Sequence, residues 1–144
     1  MSKEKDKSRA ETYLNRIRNI GKELRDKRNE LDALRYKASG AGAIRYDKDH
    51  VQTSAQDFLS MAMDDIIRID KEIEEKEACI EDMKGQAYTI VRTLTVTDHR
   101  TLIDWYYLNG LTMTDTADKM HISERTAYYL RDDALIEFGR SMKL

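Results

Sequence analysis

Apolar side chains recur at alternating three- and four-residue steps along two long stretches of the chain. The first runs from Ser8 to Ala38 through Ala10, Tyr13, Ile17, Ile20, Leu24, Lys27, Leu31, Leu34 and Ala38. The second runs from Asp57 to Leu94 through Leu59, Ala62, Ile66, Ile69, Ile73, Lys76, Ile80, Met83, Ala87, Ile90 and Leu94. A sustained period of about 3.5 residues keeps one seam of a helix facing a partner helix, so each stretch predicts a coiled-coil helix. One lysine interrupts each seam, Lys27 in the first and Lys76 in the second. Such a lysine sets register or snorkels its ammonium outward. Ser39, Gly40 and Gly42 end the first helix, and Thr53 or Ser54 is positioned to cap the second. The two helices can fold back as an antiparallel hairpin, or each strip can pack in a homodimer; the hairpin is the favoured arrangement.

The pattern changes after Leu94. Thr97 or Asp98 is placed to cap a helix over about 98–108, which Asn109-Gly110 ends. The stretch LTMTDTADKMHISERTAYYLRDDALIEF, Leu111 to Phe138, reads as a helix over 113–120, a tight turn and a second helix over 124–140. Thr112 caps the first, with Asp115 three residues on as the return partner of a capping box, and Ser123 caps the second. Thr116, Ala117, Met120 and Ile122 fall on one inward face; Ala127, Leu130, Ala134, Leu135 and Phe138 fall on the other. Only His121, Ile122 and Ser123 join these helices, so they must cross steeply, as in a DNA-reading helix-turn-helix. The predicted fold class is all-α: a long antiparallel helical hairpin followed by a small three-helix helix-turn-helix domain. The corresponding segments are 1–38, a loop over 39–56, 57–94 and 95–144.

Composition agrees with long helices. Charged residues make up 36% of the 144 residues and proline is absent. No apolar run approaches the ~18 residues of a membrane span, and the charged start MSKEKDKSRA does not resemble a secretory signal. The single cysteine, Cys79, fits a reducing cytoplasm. The net charge of −2 conceals an asymmetry. Residues 1–38 carry 12 Lys/Arg against 7 Asp/Glu, residues 57–94 carry 5 against 10, and residues 95–144 carry 6 against 8. A basic and an acidic helix suit a hairpin. A slightly acidic helix-turn-helix does not bind DNA strongly on charge alone.

On the second helix of the motif the outward residues are Ser123, Glu124, Arg125, Thr126, Tyr128, Tyr129 and Arg131. In this geometry the N-terminal residues meet base edges in the major groove. Arg125 can bridge a guanine, Glu124 can accept from a cytosine amine, and Tyr129 or Thr126 can pack on a thymine methyl. Arg131, Tyr128 and the Ser123 hydroxyl suit phosphates, which fix register. Asp47, Asp49 and His50 are the one other polar cluster. His99 and His121 stand at no ligand spacing from it, so capping is expected there rather than metal binding. With no nucleophile–base set and no Gly-rich phosphate loop, neither an enzyme nor a cofactor is expected.

Two stretches carry a family resemblance. YLNGLTMTDTADKMHISERTAYYLRDDAL, Tyr107 to Leu135, resembles region 4 of sigma-70-type factors. RYDKDHVQTSAQD, Arg45 to Asp57, resembles the Tyr-Asp-Lys-Asp-x-Val-Gln-Thr-Ser signature of phage and prophage regulators of the ArpU/RinA-like group. The likeness spans the chain from about Arg45 onward. Thr116 stands where those proteins have Ile or Val, His121 where many have Gly, Ala55 where many have Pro, and Tyr128-Tyr129 where sigma factors carry Arg and Gln. The resemblance implies a homodimeric regulator of phage or prophage genes in the bacterial host cytoplasm. It would bind double-stranded DNA, with the coiled coil for dimerisation or an RNA polymerase contact. The competing expectations are an oligomeric packaging protein of the small-terminase kind and a polymerase-binding adaptor that does not touch DNA.

Overall fold

A computed structural model describes residues 2–39 and 52–143. The described residues are helical and contain no strand, as the sequence pattern predicts. Helix α1 spans Ser2–Ala38, α2 Gln52–Val91, α3 Thr97–Leu102, α4 Met113–Met120 and α5 Glu124–Ser141. α3 continues directly into π-helical turns over Ile103–Leu108.

Several boundaries differ from expectation. α1 starts six residues earlier than the heptad, at Ser2. α2 starts at Gln52, which puts Thr53 and Ser54 inside the helix rather than at its cap. It ends at Val91, yet Leu94 beyond it is still buried. The rest of the Arg45–Asp57 signature, before Gln52, lies outside the described residues. Val96, not Thr97 or Asp98, is the α3 cap residue, and it makes no side-chain cap bond.

The chain forms two compact units. One, Glu23–Ala78, contains the hairpin's ion pairs. Lys76 Nζ lies 2.9 Å from Glu23, Lys27 Nζ 2.5 Å from Glu72, Arg28 3.3 Å from Glu77 and Arg35 3.4 Å from Asp70. From Glu23–Lys76 through Lys27–Glu72 to Arg35–Asp70, position numbers rise on α1 as they fall on α2, so the helices are antiparallel. Leu24, Leu31, Ala62, Ile69 and Ile73 are buried along the seam, as the heptad requires. Lys27 and Lys76 stay partly exposed and pair with carboxylates across the hairpin. Exposed pairs of this kind contribute only ~0–1 kcal/mol each. Their effect is on register, because the basic helix meets the acidic one at four places. Leu59, a predicted seam position, is exposed.

The second unit joins Met1–Lys22 to Cys79–Leu144. The start of α1 is thereby built into the C-terminal helices, a division of the chain that the segment boundaries 1–38 and 95–144 do not follow. Ala10 and Ile17 are buried on the heptad face, but Leu14 and Asp6 are buried as well. The helix has a neighbour on more than one side here. Tyr13 donates to the Met83 carbonyl at 3.2 Å, and its ring also stacks on Phe138, with centroids 6.1 Å apart. Asp6 is almost fully enclosed, with Lys143 Nζ at 2.7 Å, Arg9 at 3.8 Å and Arg140 at 3.9 Å. Lys7 pairs with Asp132 of α5 at 3.3 Å. These partners explain why the highly charged stretch before Ser8 is helical: its order comes from α5, not from an apolar period.

Candidate nucleic-acid interface

The helix-turn-helix is built by three local devices. Thr112 Oγ1 accepts from the Asp115 N–H at 3.1 Å and starts α4. Among the described residues no bond from the Thr112 N–H to the Asp115 carboxylate completes the capping box. At the other end His121 takes the left-handed conformation, with φ 59° and ψ 41°. Its N–H bonds the Asp118 carbonyl at 3.1 Å, and the Ile122 N–H bonds Ala117 O at 3.0 Å, a Schellman-type stop. Ser123 Oγ then accepts from the Thr126 N–H at 3.1 Å and starts α5. Met113, Ala117 and Ala127 are buried together where α4 and α5 cross, with Tyr106 and Ile122 packed against them. Thr116 is also fully buried. Its hydroxyl donates to the Thr112 carbonyl at 2.8 Å, so a polar residue stands at a core position with no unmet donor.

His121 holds a conformation that costs a residue with a Cβ about 1–2 kcal/mol. Glycine relieves that cost but loses more freedom on folding. His121→Gly is therefore expected to stabilise the protein by about 0.5–1 kcal/mol, and His121→Val to destabilise it. Urea midpoints of the two variants and the parent give the order directly.

The turn before α4 is held from a distance. The Asn109 N–H bonds the Asp104 carbonyl at 2.9 Å, a five-residue step that widens the helix into π geometry. Asp104 Oδ1 accepts from the Tyr88 hydroxyl at 2.8 Å and from the Asn109 side chain at 2.9 Å. Arg18 of α1 donates to the carbonyls of Tyr106 at 2.7 Å and Leu111 at 2.9 Å, and its guanidinium lies 4.1 Å from the centre of the Tyr106 ring. Two acceptors and a ring face suit a planar fork of donors; a lysine cannot serve all three.

Ser123, Glu124, Arg125, Thr126, Tyr128 and Tyr129 are all exposed along the first turns of α5. Arg125 lies over the Tyr129 ring at 5.9 Å. Glu124 Oε1 accepts from the Thr114 hydroxyl of α4 at 2.5 Å, so its carboxylate is tied back across the turn. The Ser123 hydroxyl is already engaged with Thr126. Arg131 is different: its side chain is 27% exposed, lies 5.1 Å from the centre of the Tyr128 ring, and encloses an Nε that meets no acceptor. It reaches Asp132 only at 3.7 Å. Thr114, and Lys119 over the Trp105 ring at 5.6 Å, join the exposed surface of the two helices. Their role depends on how α4 crosses α5, which no local sequence signal gives. The buried Tyr107 hydroxyl is pushed far up by burial, which keeps it neutral.

Glu137, further along α5, closes the back of this unit. Its carboxylate accepts from the Thr95 N–H at 2.9 Å and the Thr95 hydroxyl at 2.8 Å, and lies 2.7 Å from His99 Nδ1. Burial alone would raise its pKa, but these hydrogen bonds outweigh it and hold the group below its ordinary 4.5. Asp6 is likewise held below 3.8, chiefly by the Lys143 hydrogen bond against the opposing effect of burial. A folded pKa below the unfolded one means the stabilisation is complete above the unfolded value and fades as pH falls through the folded value. Stability is expected to be level above pH ~5 and to fall steadily from there toward pH ~3. Glu137→Gln should flatten part of that fall; an unchanged acid transition in this variant would count against the assignment.

Among the described residues no group of three or more His, Cys, Asp or Glu side chains is placed to hold a metal ion, and no helix is long and apolar enough to cross a membrane. Comparison with family models, curated proteins and solved structures finds no match.

Proposed function

We propose that the chain is a sequence-specific, double-stranded-DNA-binding regulator of transcription of the phage or prophage type, of the ArpU/RinA-like group that its signature resembles. The carrying observation is the exposed row on α5. A capped helix presents Arg125, Thr126 and Tyr129 from its N-terminal turns, and the crossing behind them is packed by Ala117 and Ala127 with Met113. The N-terminal turns are where a recognition helix meets base edges. In this reading Arg125 and Tyr129 contact bases, while Ser123 and Tyr128 face phosphates. Arg131, stacked on Tyr128, steadies that ring as much as it offers charge. Glu124 holds the turn through Thr114 and is the weaker candidate for a cytosine contact.

A second copy is part of the proposal. Leu59, Met63 and Ile67 are exposed at four-residue steps on α2, beside the hairpin seam. A lone helical pair does not need that extra stripe, whereas a four-helix bundle does. Two heads would also double the phosphate contacts of a weakly charged module.

The test is selection of bound duplexes from a randomised pool by the full chain. Enrichment of one sequence motif is expected, with light scattering giving twice the 16.8 kDa chain mass. A pool that stays random through successive rounds sinks the reading in favour of a protein-binding adaptor. A ring of many subunits would favour a packaging role.

A further inference from the structure

The acidic balance of residues 95–144 leaves the reading head short of cations. The compact unit, however, includes Met1–Lys22, which carries 7 Lys/Arg against 3 Asp/Glu. Four of its residues, Lys5, Arg9, Thr12 and Arg16, follow at steps of four, three and four and so share one face of α1 over roughly 16 Å. All four are exposed. They line an open groove of about 650 Å³ together with Ser8, Tyr13 and Met142, the last being the residue that caps the C-terminus of α5. No carboxylate lines it. Among the described residues Lys5 and Arg16 enter no ion pair, and Arg9 reaches only Asp6, at 3.8 Å. Of the three acids on this stretch, Asp6 is enclosed under Lys143 and Arg140, while Glu4 and Glu11 line the adjoining groove with Lys7 and share Ser8 and Thr12 with this one.

We propose that this stripe, Lys5–Arg9–Thr12–Arg16, is a phosphate-backbone clamp for the DNA that α5 reads. The inference rests on the DNA-binding reading above and adds the charge which that reading lacks. α5 is 18 residues long, roughly 27 Å, while the major groove is about 12 Å wide. With its N-terminal turns at the bases, its C-terminal end stands out over flanking backbone, as the end of a homeodomain recognition helix does. Met142 marks that end, and the cationic groove opens beside it. The start of α1 is fixed there by the Tyr13–Phe138 stack, by Arg18 on the Tyr106 and Leu111 carbonyls, and by Lys7 on Asp132. The clamp is therefore a built part of the head rather than a trailing charged tail. Lysine, arginine and a threonine hydroxyl all donate to phosphate oxygens and carry no base preference.

The experiment is a salt titration of binding by the full chain, on the selected duplex and on a scrambled one. Lys5→Gln/Arg16→Gln leaves Arg9 and its Asp6 contact in place, and the thermal midpoint of this variant should match the parent's. Each lost phosphate contact removes ~0.9 from the slope of log affinity against log salt. The double variant is expected to lose about 2 from that slope. Its affinity should drop by roughly one to two decades at 0.1 M salt, equally on both duplexes. Lys5→Arg/Arg16→Lys should keep the parent slope. An unchanged slope in the glutamine variant overturns the clamp, as does a loss confined to the selected duplex. If the parent binds no duplex even at low salt, the DNA reading and the clamp fall together. If the parent binds and only Arg125→Ala weakens it, the clamp alone falls.

Discussion

Replacing Gly139 with alanine is expected to destabilise the protein by about 3 kcal/mol or more. A Cβ at this position would stand 2.0 Å from the Asp6 carbonyl oxygen, 2.5 Å from its carbon and 2.8 Å from the Asp6 Cα. All three are backbone atoms, so no rotamer change relieves the overlap. Either α1 lifts off α5 or α5 shifts in its own bundle, and forced shifts of this kind cost ~1–3 kcal/mol, occasionally more. Lifting α1 also strands Asp6, whose carboxylate depends on Lys143, Arg9 and Arg140. The other two helical glycines supply the contrast. At Gly21 an added Cβ would meet Ile80 at 3.5 Å, an ordinary contact, and at Gly85 it would meet nothing within 4 Å. Alanine is the better helix former by ~1 kcal/mol, so Gly85→Ala should stabilise and Gly21→Ala should do so slightly or not at all. Urea unfolding of the three variants resolves the three signs. A Gly139→Ala protein as stable as the parent would mean that α1 does not lie against α5 as described.

Arg125→Ala should lower affinity for a selected duplex by roughly 10- to 100-fold while leaving a scrambled duplex within about tenfold of the parent, because a bidentate base contact contributes ~1–3 kcal/mol of discrimination. Arg125 is exposed and holds no hydrogen bond or ion pair among the described residues; its neighbour is the Tyr129 ring. Its removal should therefore leave the thermal midpoint unchanged. Tyr129→Ala removes both a contact surface and the ring over which Arg125 rests, so the pair should be non-additive. Equal losses on both duplexes would reassign Arg125 to the backbone. No loss on either would remove it from the interface.

How far the sequence reaches depends on how local the cause is. The limits of α4 and the start of α5 follow from caps within four residues, Thr112 with Asp115 and Ser123 with Thr126, and from the stop at His121. The hairpin seam follows from a repeating period, and so Leu24, Leu31, Ile69 and Ile73 fall where it puts them. The failures have long-range causes. The π turns need Arg18 and Tyr88, each far away in the chain. The helix before Ser8 needs α5. Leu14 joins the core because α1 acquires a second neighbour over its first turns. Gly139 and Asp6 touch across 133 positions, and nothing around either residue announces the contact. For the candidate interface, exposure of the α5 row was legible from helical spacing. The engagement of Glu124 by Thr114, the half-burial of Arg131 and the packing of a cationic stretch of α1 into this unit were not, because each depends on which helix lies beside which.

The most direct test of the account is one pair of binding curves: fluorescence anisotropy of the full chain on a selected duplex and on its scrambled counterpart at a single fixed salt concentration. Binding to the selected duplex is expected to be tighter by a factor of roughly 10³ or more, the separation expected of a protein that reads bases. Equal affinities for the two duplexes would contradict it.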